Sequence, residues 1–174
     1  MIHMHTNFIT LKDVHILFPN FSGAPTKFVK KGGKRSFCIR LNSQLADKLR
    51  KDGYNVKPLK TRDGEDPAFY LNIAVEFSNI PPRIIQISSR GRVELNEDLV
   101  EVLDTAEIES VDITINPYPW ELDGRSGVKA YLRSMYVTLY EDELDLAYNA
   151  RFSEPSNNFN SPAENTEAND DIPF

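Results

Sequence analysis

Phe69-Tyr70-Leu71-Asn72-Ile73-Ala74-Val75-Glu76-Phe77 sets Phe69, Leu71, Ile73, Val75 and Phe77 at alternate positions. A period of two puts those five side chains on one face of an extended chain and the residues between them on the other, as in a strand with one side in a core. The pattern recurs along the chain. Phe8 to Phe18 alternates and stops at Pro19-Asn20, and Arg35 to Leu41 alternates with Phe37, Ile39 and Leu41 on one face. Tyr54 to Leu59 is a weaker strand and Thr61 to Pro67 a charged turn. Arg83 to Ile87, Val111 to Asn116 and Gly127 to Tyr140 read as further strands, with Asp123-Gly124 as the hairpin turn between the last two.

Helical spacing is scarce. Ser43 is placed to N-cap a helix over Gln44 to Asp52 that Gly53 ends. Asn96 caps a second, with Leu99, Val100 and Leu103 inward, and Glu141 to Tyr148 reads as a final acidic helix. The expected fold class is mainly β: an OB-like antiparallel barrel with one or two short helices, although periodicity alone does not separate a barrel from a small sandwich. The expected organisation is one domain over 1–149 and a disordered acidic tail over 150–174, where the chain turns rich in Asn, Ser and Pro and poor in apolar residues.

The 174 residues carry a net charge of −6, which argues against a polyanion partner until it is resolved along the chain. Residues 1–62 hold thirteen Lys or Arg against three acids, a net +10, and residues 63–148 hold six against eighteen, a net −12. The basic segment suits a polyanion, and the acidic tail is its potential competitor. A single cysteine, Cys38, rules out an internal disulfide and fits a reducing cytoplasm. No basic-then-apolar leader and no membrane-length apolar run is present, so a soluble, cytoplasmic protein is expected.

Two constellations combine cations with aromatic faces. In the loop after Pro19, Phe21 and Phe28 are interleaved with Lys27, Lys30, Lys31, Lys34 and Arg35, while Phe37 falls in strand phase and belongs to the core. In the hairpin, Tyr118 and Trp120 stand on one arm and Lys129, Tyr131 and Arg133 alternate on the other. A row of Lys, Tyr and Arg does not face a core without partners, so it should face solvent or a ligand. Trp120, the sole tryptophan, suits either a core anchor or a stacking platform. Cations that track phosphates and rings that stack on bases are the ingredients of single-strand binding, largely indifferent to sequence. Arg90 and Arg92 form a smaller basic turn suited to phosphate contacts or to plain solvation.

Catalysis finds no support. The acids at Glu94–Asp112 and Glu141–Asp145 are spaced for solvated helix faces, His3 and His5 lack further ligands, and no phosphate-binding Gly-rich loop with a Lys-Ser/Thr end is present. No cofactor, no metal and no enzymatic activity are expected.

The chain ends Asp170-Asp171-Ile172-Pro173-Phe174. A terminal ring, its carboxylate and two acids behind a stiff proline make a ligand for an apolar pocket rimmed with cations. This ending resembles the acidic tip of bacterial and bacteriophage single-stranded-DNA-binding proteins. The resemblance implies an OB-like domain and a tip that recruits replication, recombination and repair proteins. It further implies single-stranded DNA as partner in a bacterial host cell, and leaves room for a homo-oligomer. The domain sequence shows no close match to the common bacterial version, whose aromatic platforms find no clear counterpart in it, which favours a divergent, phage-type domain. The alternatives are a non-catalytic adaptor β domain that presents the tip without gripping DNA, and an RNA-binding OB module.

Overall fold

A computed structural model of the chain describes residues 7–25 and 33–159, with residues 152–159 as backbone only. Among these, nine strands form one sheet: β1 (Ile9–Leu11), β2 (Ile16–Asn20), β3 (Arg35–Leu41), β4 (Lys57–Leu59), β5 (Ala68–Val75), β6 (Arg83–Ser88), β7 (Gly91–Glu94), β8 (Ile108–Leu122) and β9 (Arg125–Leu139). Helix α1 covers Ser43–Lys51, a 3₁₀ turn covers Val100–Asp104, and helix α2 covers Glu143–Phe159.

The mainly β class with two helices agrees with the sequence reading, while the sheet is neither wholly antiparallel nor closed into a barrel. The sheet is mixed: β9 runs parallel to both β5 and β6, and the other pairings are antiparallel. The main path runs β1-β8-β9-β5-β3-β2, with β4 beside β5 and β6–β7 beside β9. No ladder joins β1 to β2 among the described residues. Their connection, residues 12–15, is taken up by a sharp turn in which Asp13 adopts φ 53° and donates its N–H to Asp112 Oδ1 at 2.9 Å. Val14 N then donates to Val111 O on β8 at 2.9 Å, and His15 O accepts Arg40 N on β3 at 3.0 Å. Three hydrogen bonds on this covalent link thus tie it to β8 on one side and β3 on the other. This turn also splits the strand expected over Phe8–Phe18 in two.

The alternating faces pack inward as the sequence predicts. Phe37, Ile39 and Leu41 of β3, Leu71, Ile73 and Val75 of β5, and Val111, Ile113 and Ile115 of β8 are all buried. Each such side chain contributes about 1.5–3 kcal/mol relative to exposure. Asn42, not Ser43, caps α1: its Oδ1 accepts Leu45 N at 2.8 Å. Gly53 ends that helix with φ 100°, where a Cβ would stand 3.1 Å from Val128 Cγ2, and its carbonyl accepts Val128 N at 2.9 Å. The turn-proximal part of the β8–β9 hairpin is thereby fastened to the end of α1.

That hairpin is longer than expected, at fifteen residues per arm. β1 covers the outer edge of β8 only at Ile113–Ile115, so Pro117 and Pro119 lie where the missing N–H costs no ladder bond. Asp123 (φ 51°) and Gly124 (φ 77°) make the two-residue turn. α2 continues past the expected acidic helix and past residue 150, to Phe159. The tip Asp170–Phe174 lies outside the described residues, as do Lys27, Phe28, Lys30 and Lys31.

Candidate nucleic-acid interface

The outward residues of five strands line up across the sheet. Asn20 of β2 pairs with Ser36 of β3, Ser36 with Ala74 of β5, Ala74 with Tyr131 of β9, and Tyr131 with Asn116 of β8. Four strand steps make this row about 19 Å long. Tyr131 sits where two clefts meet. One, of about 390 Å³, is bounded by Ile80, Pro81, Tyr118, Tyr131 and Arg133. The other, of about 500 Å³, is bounded by Phe18, Lys34, Arg35, Lys129 and Tyr131 over a floor that includes Ser36, Cys38, Asn72 and Ala74.

The fold brings Tyr118, Lys129 and Tyr131 of the hairpin together, while the period of two breaks at Arg133. Tyr118 faces Lys129 across the ladder, and the Tyr118 and Tyr131 rings meet edge to face, 5.9 Å apart at 81°. Lys129 Nζ lies 5.0 Å from the Tyr131 ring centroid. Arg133 is the extra residue of a bulge: Thr114 pairs with Ser134 but Ile115 with Leu132. The bulge switches the inward phase from Ala130 and Leu132 to Met135 and Val137 and re-aims Arg133, whose guanidinium covers Phe8 at 4.3 Å. Tyr118 is 57% and Trp120 42% exposed, so Trp120 is no core anchor. Its ring rests on Gly127, where a Cβ would stand 3.0 Å from Cζ2.

The loop constellation fares differently. Phe21 is not available for stacking: it is 0% exposed and stacked on Phe37 at 5.2 Å inside the core. Asp104 holds it there by accepting Phe21 N at 2.6 Å and Ser22 N at 3.1 Å. Arg35 is tied into the fold as well, through Phe21 O at 2.9 Å and an ion pair with Glu97 at 3.1 Å, although it still borders the larger cleft. Lys34 is exposed at that cleft's rim. Arg90 and Arg92 are exposed on the β6–β7 hairpin, where Arg92 pairs with Ile87 and Ile87 with Thr138. Thr138 stands seven residues along β9 from Tyr131, roughly 23 Å, and this turn borders neither cleft.

Two residues at the clefts escaped the sequence reading. Phe18, 61% exposed at φ 49°, is thrown outward by a bulge between Leu17 and Asn20. Glu76 borders both clefts. Hydrogen bonds from the Ser78 hydroxyl at 2.9 Å and backbone, with the charge of Lys129, hold its carboxyl below the usual range. In Phe69–Phe77 it is one more outward polar residue, and only the fold shows that it stands between the cations. Cys38, on the cleft floor, is pushed up to about 11 by burial, so its thiol stays neutral. The described residues hold no cluster of three or more His, Cys, Asp or Glu suited to a metal, and no helix long and apolar enough to cross a membrane.

The chain is similar in fold to the single-stranded DNA-binding protein from bacteriophage Enc34. The C-terminally truncated form matches at 14% identity and TM-score 0.49, over 79% of this chain and 89% of that one. The same protein in complex with ssDNA gives 14% identity and TM-score 0.47 over the same shares. Gp2.5, the single-stranded DNA binding protein encoded by bacteriophage T7, gives 12% identity and TM-score 0.40, over 82% and 93%. No curated protein matches the chain. Residues 2–170 match the family described as "Putative phage ssDNA-binding domain", and the chain belongs to that family.

Proposed function

We propose that the chain binds single-stranded DNA on the outward face of its sheet, without chemistry and without strong sequence preference. The observation that carries this reading is Tyr131: an outward ring at the junction of two clefts, with Lys129 beside it, Tyr118 against it and Arg133 two residues on. Rings on this face offer stacking that every base satisfies, worth about 1–3 kcal/mol per base, while the cations track phosphates. Family membership supports the same partner. Lys27, Phe28, Lys30 and Lys31 lie outside the described residues and shortly before Lys34 in sequence, and we count them with the same binding set on residue type alone.

Bound strands would be protected during replication and recombination, and the tip Asp170–Phe174 would recruit the proteins that work on them, a role that rests on its resemblance to the acidic tips of single-stranded-DNA-binding proteins. Fluorescent oligo-dT and a duplex of equal length, titrated with the full chain at several salt concentrations, test the reading. Preference for oligo-dT is expected, with an affinity that falls by about 0.7 log units per log unit of salt for each phosphate engaged. Equal affinity for both, or indifference to salt, would rule it out.

A further inference from the structure

We infer that the DNA track crosses the sheet to a second stacking station, built by Phe18 and Tyr70 and flanked by Arg40 and Lys57. This rests on the reading above and adds a binding site to it. The Phe18 and Tyr70 rings meet edge to face at 5.7 Å and 77°, nearly the arrangement of Tyr118 and Tyr131 at 5.9 Å and 81°. Tyr70 lies on the outward face of β5, paired with Arg40 on β3 and with Lys57 on β4. Paired residues share a face, so one ring is bracketed by two exposed cations.

The two stations are two ends of one feature. Phe18 and Tyr131 border the same cleft, and Ser36, Asn72 and Ala74 between them leave its floor low and uncharged. The bulge at Phe18 costs a positive φ on a phenylalanine and exposes 61% of it, which a buried role would not require. Tyr70 stands four residues along β5 and one strand away from Tyr131, about 14 Å. At the 3.4 Å rise of stacked nucleotides that is about four nucleotides, so a short oligonucleotide occupies one station and a longer one both.

The test compares (dT)3 and (dT)15 by fluorescence anisotropy with the wild-type chain, Phe18→Ala/Arg40→Ala, Lys57→Glu and Tyr131→Ala. Phe18, Arg40 and Lys57 are exposed, so these substitutions leave the core untouched. The double variant is expected to bind (dT)15 at least tenfold more weakly while (dT)3 binding, too short to span both stations, stays within about twofold. Lys57→Glu should weaken (dT)15 binding in the same direction. Tyr131→Ala should weaken both lengths. Wild-type affinity for (dT)15 in both station variants, with Tyr131→Ala still defective, would overturn the second station and leave the function standing. Wild type that binds neither oligonucleotide would overturn both.

Discussion

The indole of Trp120 rests on Gly127, its cross-strand partner, so closely that a Cβ at 127 would stand 3.0 Å from Cζ2 and 3.1 Å from Nε1. A glycine opposite the sole tryptophan holds the ring against the hairpin and leaves 42% of it exposed. Gly127→Ala should lift the ring off the ribbon. The expected outcome is a red-shifted emission maximum with the fold intact by circular dichroism, and an unchanged spectrum would show that the ring adjusts in place.

Tyr131→Ala should weaken oligo-dT binding by about 1–3 kcal/mol, roughly 5- to 150-fold, if one base stacks there. Tyr131→Phe keeps the face and should retain most of the affinity. Anisotropy titrations of both variants separate stacking from a role for the hydroxyl.

Glu76 places a negative charge between Lys129 and the phosphates expected in both clefts. Glu76→Gln should tighten oligo-dT binding at pH 7 and low salt. Because its hydrogen bonds from Ser78 hold the carboxyl low, wild type stays ionised down to acidic pH and gains affinity only below the usual carboxylate range. The variant should lack that gain, which titrations followed from pH 7 down to about pH 3 would reveal.

Asp104 accepts the backbone N–H groups of both Phe21 and Ser22, holding the entry to the basic loop. Asp104→Ala leaves these part-buried donors unpaired and should cost about 1–3 kcal/mol in urea unfolding. Cleft residues are untouched, so oligo-dT affinity under native conditions should change little.

Alkali should destabilise the fold through two buried groups. Burial raises the Cys38 thiol from 9.0 to about 11, and burial with the charge of Asp52 raises the Tyr54 hydroxyl from 10.0 to about 12. The native state therefore keeps protons that the unfolded chain releases, so this stability is whole below pH 9 and falls as pH rises through 9–12. Melting temperatures across that range should fall, and Cys38→Ala should blunt the first part of the decline.

Much of the architecture is legible in the chain because burial imposes a period of two: Phe69–Val75, Arg35–Leu41 and the Lys129/Tyr131 alternation all stand as their residue types demand. What escaped is set by partners distant in sequence. The parallel pairings of β9 with β5 and β6 leave no local mark, and among the described residues no ladder joins β1 to β2 to close the barrel that alternation suggests. Phe21 looked like a loop residue because Pro19 and Asn20 precede it, yet Asp104, eighty-three positions away, draws it into the core. Phe18 was hidden for the converse reason: it ends an alternating run, and only a bulge turns it outward.

The most direct measurement sets two charge reversals against each other. Lys129→Glu/Arg133→Glu alters the clefts around Tyr131, while Arg90→Glu/Arg92→Glu removes equal charge from the distant β6–β7 turn. In oligo-dT titrations at low salt, the first pair is expected to lose at least tenfold in affinity, with a shallower salt dependence, and the second to stay within about threefold. Equal losses from the two pairs, or a larger loss from the second, would contradict the placement of DNA on this face.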